Sequence, residues 1–211
     1  MNYKATITTL TPVHIGTGTE LLNLYDFVVD NERNHTYRLN VDAILEDTLL
    51  GNNDRFDQSL LRRPPAKLVD LPTLRSRPEF SVYTLRGTPQ PKTEGAGRIR
   101  EQIKDVWGKL YLPGSSLKGA LRTVIARSIL NNKEFNSQPQ VNMSNGPKKA
   151  DDWIEEAVFG RDPHHDLLRA LHVADSRPVD LTPILINVSV VKGNKSQAPI
   201  DIEAIPGQTT F

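Results

Sequence analysis

Two stretches of this chain combine residue types and spacings that could do chemistry. The first is Tyr111-Leu-Pro-Gly-Ser-Ser-Leu-Lys-Gly-Ala-Leu-Arg122. Pro113 and Gly114 make a tight turn, Ser115 and Ser116 sit at a helix start, and Lys118 and Arg122 follow one turn apart. The unpaired N–H groups and the dipole of a helix start favour an anion, and the two cations add to that field. A phosphate diester is the natural ligand, although an ordinary capped core helix carries the same residues. The stretch is not a Walker A loop, because Lys118 precedes Gly119 instead of following it. The second stretch is Thr9-Leu-Thr-Pro-Val-His-Ile-Gly-Thr-Gly18. Gly16 and Gly18 let a ligand approach the backbone closely, and His14 can donate a hydrogen bond, act as acid or base, or serve as a structural histidine.

Other candidates are weaker. His164 and His165 stand beside Asp162 and Asp166, but adjacent side chains diverge by about 100° in a helix and point oppositely in a strand, so a loop reading is preferred to a metal site. His35 falls in a polar turn and reads as solvated. There is no cysteine, which excludes disulfides, thiolate zinc sites and thiol nucleophiles. With aromatics at 6% of the chain, no base-stacking pattern of the RRM type is visible, so nucleic-acid binding would run through phosphates and be salt-sensitive.

The elements that must position these residues are partly legible. Residues 4–15 roughly alternate and read as a strand broken by Gly16-Thr-Gly18. Further strands are expected over 24–29 and 36–39, and Asn40 caps a short helix carrying Val41, Ile44, Leu45 and Leu49. Residues 52–97 hold six prolines and no sustained period, and read as a long loop insertion. Residues 98–106 read as a helix and 109–112 as a short strand. The strongest helix follows, with Leu117, Ala120, Leu121, Val124, Ile125 and Ile129 as its core stripe, Ser115 or Ser116 as cap, and Lys118 and Arg122 on a different face. Residues 131–150 read as loop, and Asp151 or Asp152 caps a helix ending at Gly160. A short helical or strand segment is expected over 166–173. The tail from 179 reads as β, with a hairpin turn at Gly193-Asn194. The expected class is α+β on an antiparallel sheet.

Length and composition fit one domain or two small related ones. The net charge is +1, yet residues 55–100 carry ten basic against four acidic side chains. That excess attracts polyanions if it lies on one face, and is otherwise a solvated loop. No apolar run approaches bilayer length and no signal peptide is visible, so a soluble cytoplasmic protein is expected.

Taken together, the His-Ile-Gly-Thr-Gly loop and the Pro-Gly-Ser-Ser-Leu-Lys-Gly helix start resemble the RAMP superfamily of CRISPR-associated RNA-binding proteins. More narrowly, residues 9–18 and 103–123, with Phe159-Gly160 and Val173-Ala-Asp-Ser176, resemble the type III-A (Csm-type) effector subunit that caps the guide-RNA 3′ end. The resemblance implies a ferredoxin-like (RRM-like) core with long irregular insertions. It implies a non-catalytic crRNA-binding role in antiviral defence, aiding crRNA maturation, with no cofactor or metal. It implies crRNA and other type III CRISPR effector subunits as partners, the neighbouring backbone subunit above all. It carries RNA contact onto His14, Gly16, Gly18, Ser115, Ser116, Lys118, Gly119 and Arg122.

Residues 1–178 are then an N-terminal RAMP domain with its insertion around 52–97, and 179–211 the start of a second RAMP half. No C-terminal glycine-rich loop is present, which departs from the family pattern. Three alternatives stay open. Related backbone subunits cut target RNA with an aspartate placed like Asp26 or Asp30. Guide-processing nucleases of the superfamily use a histidine placed like His14 or His35. A protein–protein scaffold without RNA contact would use the same fold.

Overall fold

The computed structural model describes residues 2–50, 62–90, 97–130, 156, 158–162, 164–189, 191–192, 195–196 and 199–211. The chain divides into two compact units, Met1–Tyr111 with Pro178–Phe211, and Leu112–Arg177.

The first unit is built on a seven-stranded sheet in the order β1-β5-β9-β6-β4-β3-β2. Its strands are β1 (Gly16–Leu22), β2 (Phe27–Asp30), β3 (His35–Leu39), β4 (Ser81–Arg86), β5 (Arg98–Gln102), β6 (Ile184–Val188) and β9 (Ile200–Ala204). The β5–β9 and β4–β6 junctions are parallel and the others antiparallel. A two-stranded ribbon, β7 (Val191–Lys192) with β8 (Lys195–Ser196), fits the expected hairpin; its turn residues lie outside the described set. The α+β class holds, and strands from the 184–204 region lie inside the sheet, between β5 and β4.

Strand alternation sorts the core. Leu21, Phe27, Leu85, Ile99 and Leu185 share one sheet face and pack together with Val29 and Tyr83. On β3, Thr36 pairs with Leu85, so Leu39 has the opposite parity. Leu39 joins Ile44, Leu74 and Phe80 in a second cluster under helices α1 (Val41–Leu50) and α2 (Leu71–Ser76). Asn40 starts α1 as expected, its Oδ1 accepting from the Ala43 N–H.

In this first unit three expectations change. Residues 4–15 form no continuous strand. Extended chain meets the C-terminus through bridges at Thr8–Thr210 and Val13–Ile205, and the Thr9 hydroxyl takes a ladder position by accepting from Thr209 N–H. Residues 98–102 are strand β5, not helix, because pairing with β1 and β9 on both sides outweighs a local pattern that suits either state. The described part of 52–97 is folded. Asp70 caps α2 by accepting from Thr73 N–H, Pro72 occupies its first turn, and β4 enters the sheet.

In the second unit, helix α3 (Gly114–Leu130) spans the strongest helical pattern. Its stripe is split: Leu117, Ile125 and Ile129 are partly buried, whereas Leu121 and Val124 are 44% and 65% exposed. Partly buried positions recur at 118, 122, 125, 126 and 129, so the sheltered face is rotated onto Lys118 and Arg122. The expectation that these two cations lie on a different face from the sheltered stripe is corrected. Residues 131–150, read as loop, lie outside the described set, as does the Asp151 or Asp152 cap. A single turn of 3-10 helix at Leu167–Ala170 is capped by Asp166.

Candidate nucleic-acid interface

The two candidate stretches fall in different units. In the second unit, Leu112 and Ser176 exchange two hydrogen bonds. The Leu112 N–H donates to Ser176 Oγ at 2.9 Å, and the Ser176 N–H donates to the Leu112 carbonyl at 3.0 Å. The Gly114 N–H donates to Asp175 Oδ1 at 2.7 Å. The start of α3 is therefore capped by Asp175, not by Ser115 or Ser116, and this carboxylate already occupies part of the anion-attracting end. A Cβ on Gly114 would lie 2.1 Å from the Val173 carbonyl oxygen. Glycine at 114 is thus a packing requirement set by residues 173–176, a dependence no local pattern reveals.

Ser115 and Gly119 are exposed, and Ser116 and Lys118 partly so. A Cβ on Gly119 would meet nothing within 4 Å, so the fold itself does not demand glycine there. Lys118 makes no ion pair at contact distance among the described residues, but its charge reaches Asp166. Arg122 is engaged: its guanidinium donates to Asp166 Oδ2 at 2.6 Å and stacks over the buried Phe159 ring at 4.0 Å. That guanidinium holds the Asp166 carboxyl below the usual carboxylate range. Arg122 organises its own unit, which its sequence position did not suggest.

In the first unit, His14 is partly buried between two pinned residues. Val13 and Ile205 exchange backbone hydrogen bonds of 3.0 and 2.8 Å. The Ile15 N–H donates to Gln102 Oε1 at 2.9 Å, and its carbonyl accepts from Ile103. The His14 Nδ1 lies 2.7 Å from the Glu203 carbonyl oxygen. Gly16 opens β1 opposite Gln102, and Gly18 has φ +89°, a left-handed conformation that favours glycine. Beneath this loop lies a buried polar cluster. Glu203 accepts from Lys104 at 2.6 Å, from Tyr83 at 2.8 Å and from the Gln102 N–H at 3.0 Å. Burial and the neighbouring Glu203 carboxylate push the Tyr83 phenol well above its ordinary pKa. Sequence reasoning missed Gln102, Lys104 and Glu203, because nothing in the sequence shows that residues about 90 and 190 positions downstream support the loop.

The acidic candidates are occupied. Asp26 accepts from the Leu22 N–H at 2.8 Å and pairs with Arg38 at 3.2 Å. Asp30 is fully buried and takes a two-pronged hydrogen bond from Arg75, 2.7 Å on each arm. His35 opens β3, paired to Asp30 and Arg86 in the ladder. His165 bonds Asp162 at 2.8 Å, and no group of potential metal ligands gathers among the described residues. The basic excess of residues 55–100 is partly neutralised by acids from elsewhere, Arg75 by Asp30 and Glu32, Arg77 by Asp47, and Arg98 by Glu20. Exposed Arg62, Arg63, Arg86 and Arg100 form no ion pair with described residues. An open groove of about 530 Å³ beside α1 is lined by Ile44, Lys67, Leu68 and Arg77, the last already paired. No helix among the described residues is long and apolar enough to cross a membrane.

Comparison with known proteins gives related sequences and the same fold. The chain is 28% identical over 193 residues to the CRISPR system protein Csm5 of Streptococcus thermophilus, a match covering 84% of this chain and 52% of that protein. The crystal structure of T. onnurineus Csm5 superimposes with a TM-score of 0.76 at 26% identity, over 98% of this chain and 66% of that one. A chain of the cryo-EM structure of a Csm–crRNA–target RNA ternary complex, from a type III-A CRISPR-Cas system, superimposes with a TM-score of 0.70 at 27% identity, over 97% of this chain and 61% of that one. The chain thus spans between half and two-thirds of these relatives. With its glycine loop on β1, its Pro-Gly helix start and a match over residues 6–209, the chain belongs to the RAMP superfamily.

Proposed function

We propose that the chain is a non-catalytic crRNA-binding subunit of a type III-A Csm-type effector complex, capping the guide on its 3′ side and aiding its maturation. The observation that carries this reading is the match, over nearly the whole chain, to a chain of a complex that contains crRNA. The chemistry agrees with a binding role. Asp26 and Asp30 are tied into arginine pairs, whereas an acid that cuts RNA must reach a scissile phosphate or a metal ion. The α3 start offers the hydroxyls of Ser115 and Ser116, the Lys118 ammonium and the open flank of Gly119 to a backbone phosphate. The loop at His14, Gly16 and Gly18 supplies a second contact. Arg122 acts by holding its unit in shape. Crossing from backbone contact to sequence choice is left to guide base pairing, and neighbouring Csm subunits are the protein partners.

Lys118→Ala tests the phosphate site. Binding of single-stranded RNA, read by fluorescence anisotropy across salt concentrations, should weaken several-fold and to a similar degree for unrelated sequences. The slope of log affinity against log salt should shrink by about 0.7, the share of one phosphate contact on a single strand. Unchanged affinity at moderate salt contradicts the site.

A further inference from the structure

We propose that His14 reads a ribose 2′-hydroxyl as a hydrogen-bond acceptor, so that this loop distinguishes RNA from strands lacking that hydroxyl. The inference rests on the RNA-binding reading above and specifies what the loop recognises.

One contact fixes the tautomer of His14. His14 Nδ1 lies 2.7 Å from the Glu203 carbonyl oxygen, and a carbonyl only accepts. Nδ1 therefore carries the ring proton. In the neutral imidazole, Nε2 is then a bare lone pair. Among the described residues nothing hydrogen-bonds Nε2. Turning the ring over would put a C–H where Nδ1 stands and lose the bond to the Glu203 carbonyl, which holds this orientation. The Nε2 edge faces the flank of Gly16, where a Cβ would stand 3.0 Å from that nitrogen. Gly16 is exposed, so with glycine there the lone pair stays approachable.

A phosphate oxygen is an acceptor and gains nothing from a neutral acceptor nitrogen. The surrounding charge points the same way. The Thr17 hydroxyl donates to the Glu101 carboxylate at 3.4 Å, which puts a negative group beside the loop. Lys104 lies 3.8 Å from Glu101 but is committed to buried Glu203 at 2.6 Å. The sugar donor that every RNA residue offers is the 2′-hydroxyl. Base amino groups also donate, but contact with them would make binding depend on sequence. The phosphate work thus falls to the α3 start, and sugar recognition to His14.

The test uses the full-length chain and two single-stranded oligonucleotides of one sequence, RNA and its 2′-fluoro analogue. Fluorine keeps the ribose-like sugar pucker but cannot donate. The wild-type chain should bind RNA more tightly than the 2′-fluoro strand. His14→Phe should lower that ratio by about two- to tenfold, the range of one hydrogen bond, by weakening RNA more than the 2′-fluoro strand, and by the same factor for permuted sequences. Should His14→Phe not fold, Gly16→Ala serves instead. It leaves the Nδ1 bond in place, crowds Nε2, and must lower the same ratio. Equal affinity of the wild type for both strands overturns the proposal, as does a variant that weakens both by one factor. A ratio that varies with sequence overturns it in favour of base contact. A wild-type chain that binds neither strand overturns the RNA-binding reading itself.

Discussion

Single side chains in this protein do two kinds of work, and the sequence separates them poorly. Asp26, Asp30 and Arg122 have the residue types of a nuclease or phosphate site, yet each is held by a partner that only the fold supplies. Arg75, from a segment without periodicity, closes on buried Asp30 and exposed Glu32. Arg75 holds the Asp30 carboxyl below the usual carboxylate range. Thr73 does so for Asp70, Arg77 for Glu79, His165 for Asp162 and Arg122 for Asp166. A carboxyl whose folded pKa is depressed contributes stability that is full above its unfolded value, near 4, and is lost as pH falls through the folded value. Thermal midpoints should therefore decline steeply once pH drops below about 4. Arg75→Met should melt lower than wild type at pH 7 and lose less on acidification, since Asp30 would no longer be held down. A midpoint that stays level from pH 6 to pH 3 contradicts these assignments.

Among the elements, α1 and β3 were legible because their signals are local: a capping Asn40 with apolar residues at helical spacing, and a short strand after the polar turn of residues 30–34. β5 was not, since Arg98–Gln102 becomes strand only through partners on both sides. The helix start of α3 was found from its Pro-Gly-Ser-Ser-Leu-Lys-Gly signature, but its glycines have different grounds. Gly114 presses on the backbone of residues 173–174, and Gly119 faces open space. Gly114→Ala should thus destabilise the protein by about 3 kcal/mol or more, because backbone rather than a flexible side chain must move. Gly119→Ala should leave stability equal or raise it by up to about 1 kcal/mol through helix propensity, while lowering RNA affinity if a strand runs along that flank. Denaturant unfolding together with anisotropy separates the two. Equal stability loss at both positions would show that the packing at 173–176 has been assigned too much weight.

At the scale of the whole chain, the α+β class was readable from the element pattern and the superfamily from two motifs, whereas the sheet order was not. β6 and β9, from the tail, lie between β4 and β5, and no local pattern announces that insertion. The support of His14 by Gln102 and Glu203 follows from that order, which is why half of the loop's chemistry was invisible in sequence. Formal charge was only part of the picture: Arg75, Arg77 and Arg98 of the basic excess near residues 55–100 are spent on ion pairs inside the sheet unit, whereas Arg62, Arg63, Arg86 and Arg100 are exposed. The central claim, that this chain holds crRNA within a Csm-type assembly, is tested most directly by purifying the tagged full-length chain from its native cells and sequencing the RNA that accompanies it. The account predicts repeat–spacer guides sharing a defined 3′ boundary, together with other CRISPR effector subunits. RNA of random sequence, or none, would contradict it.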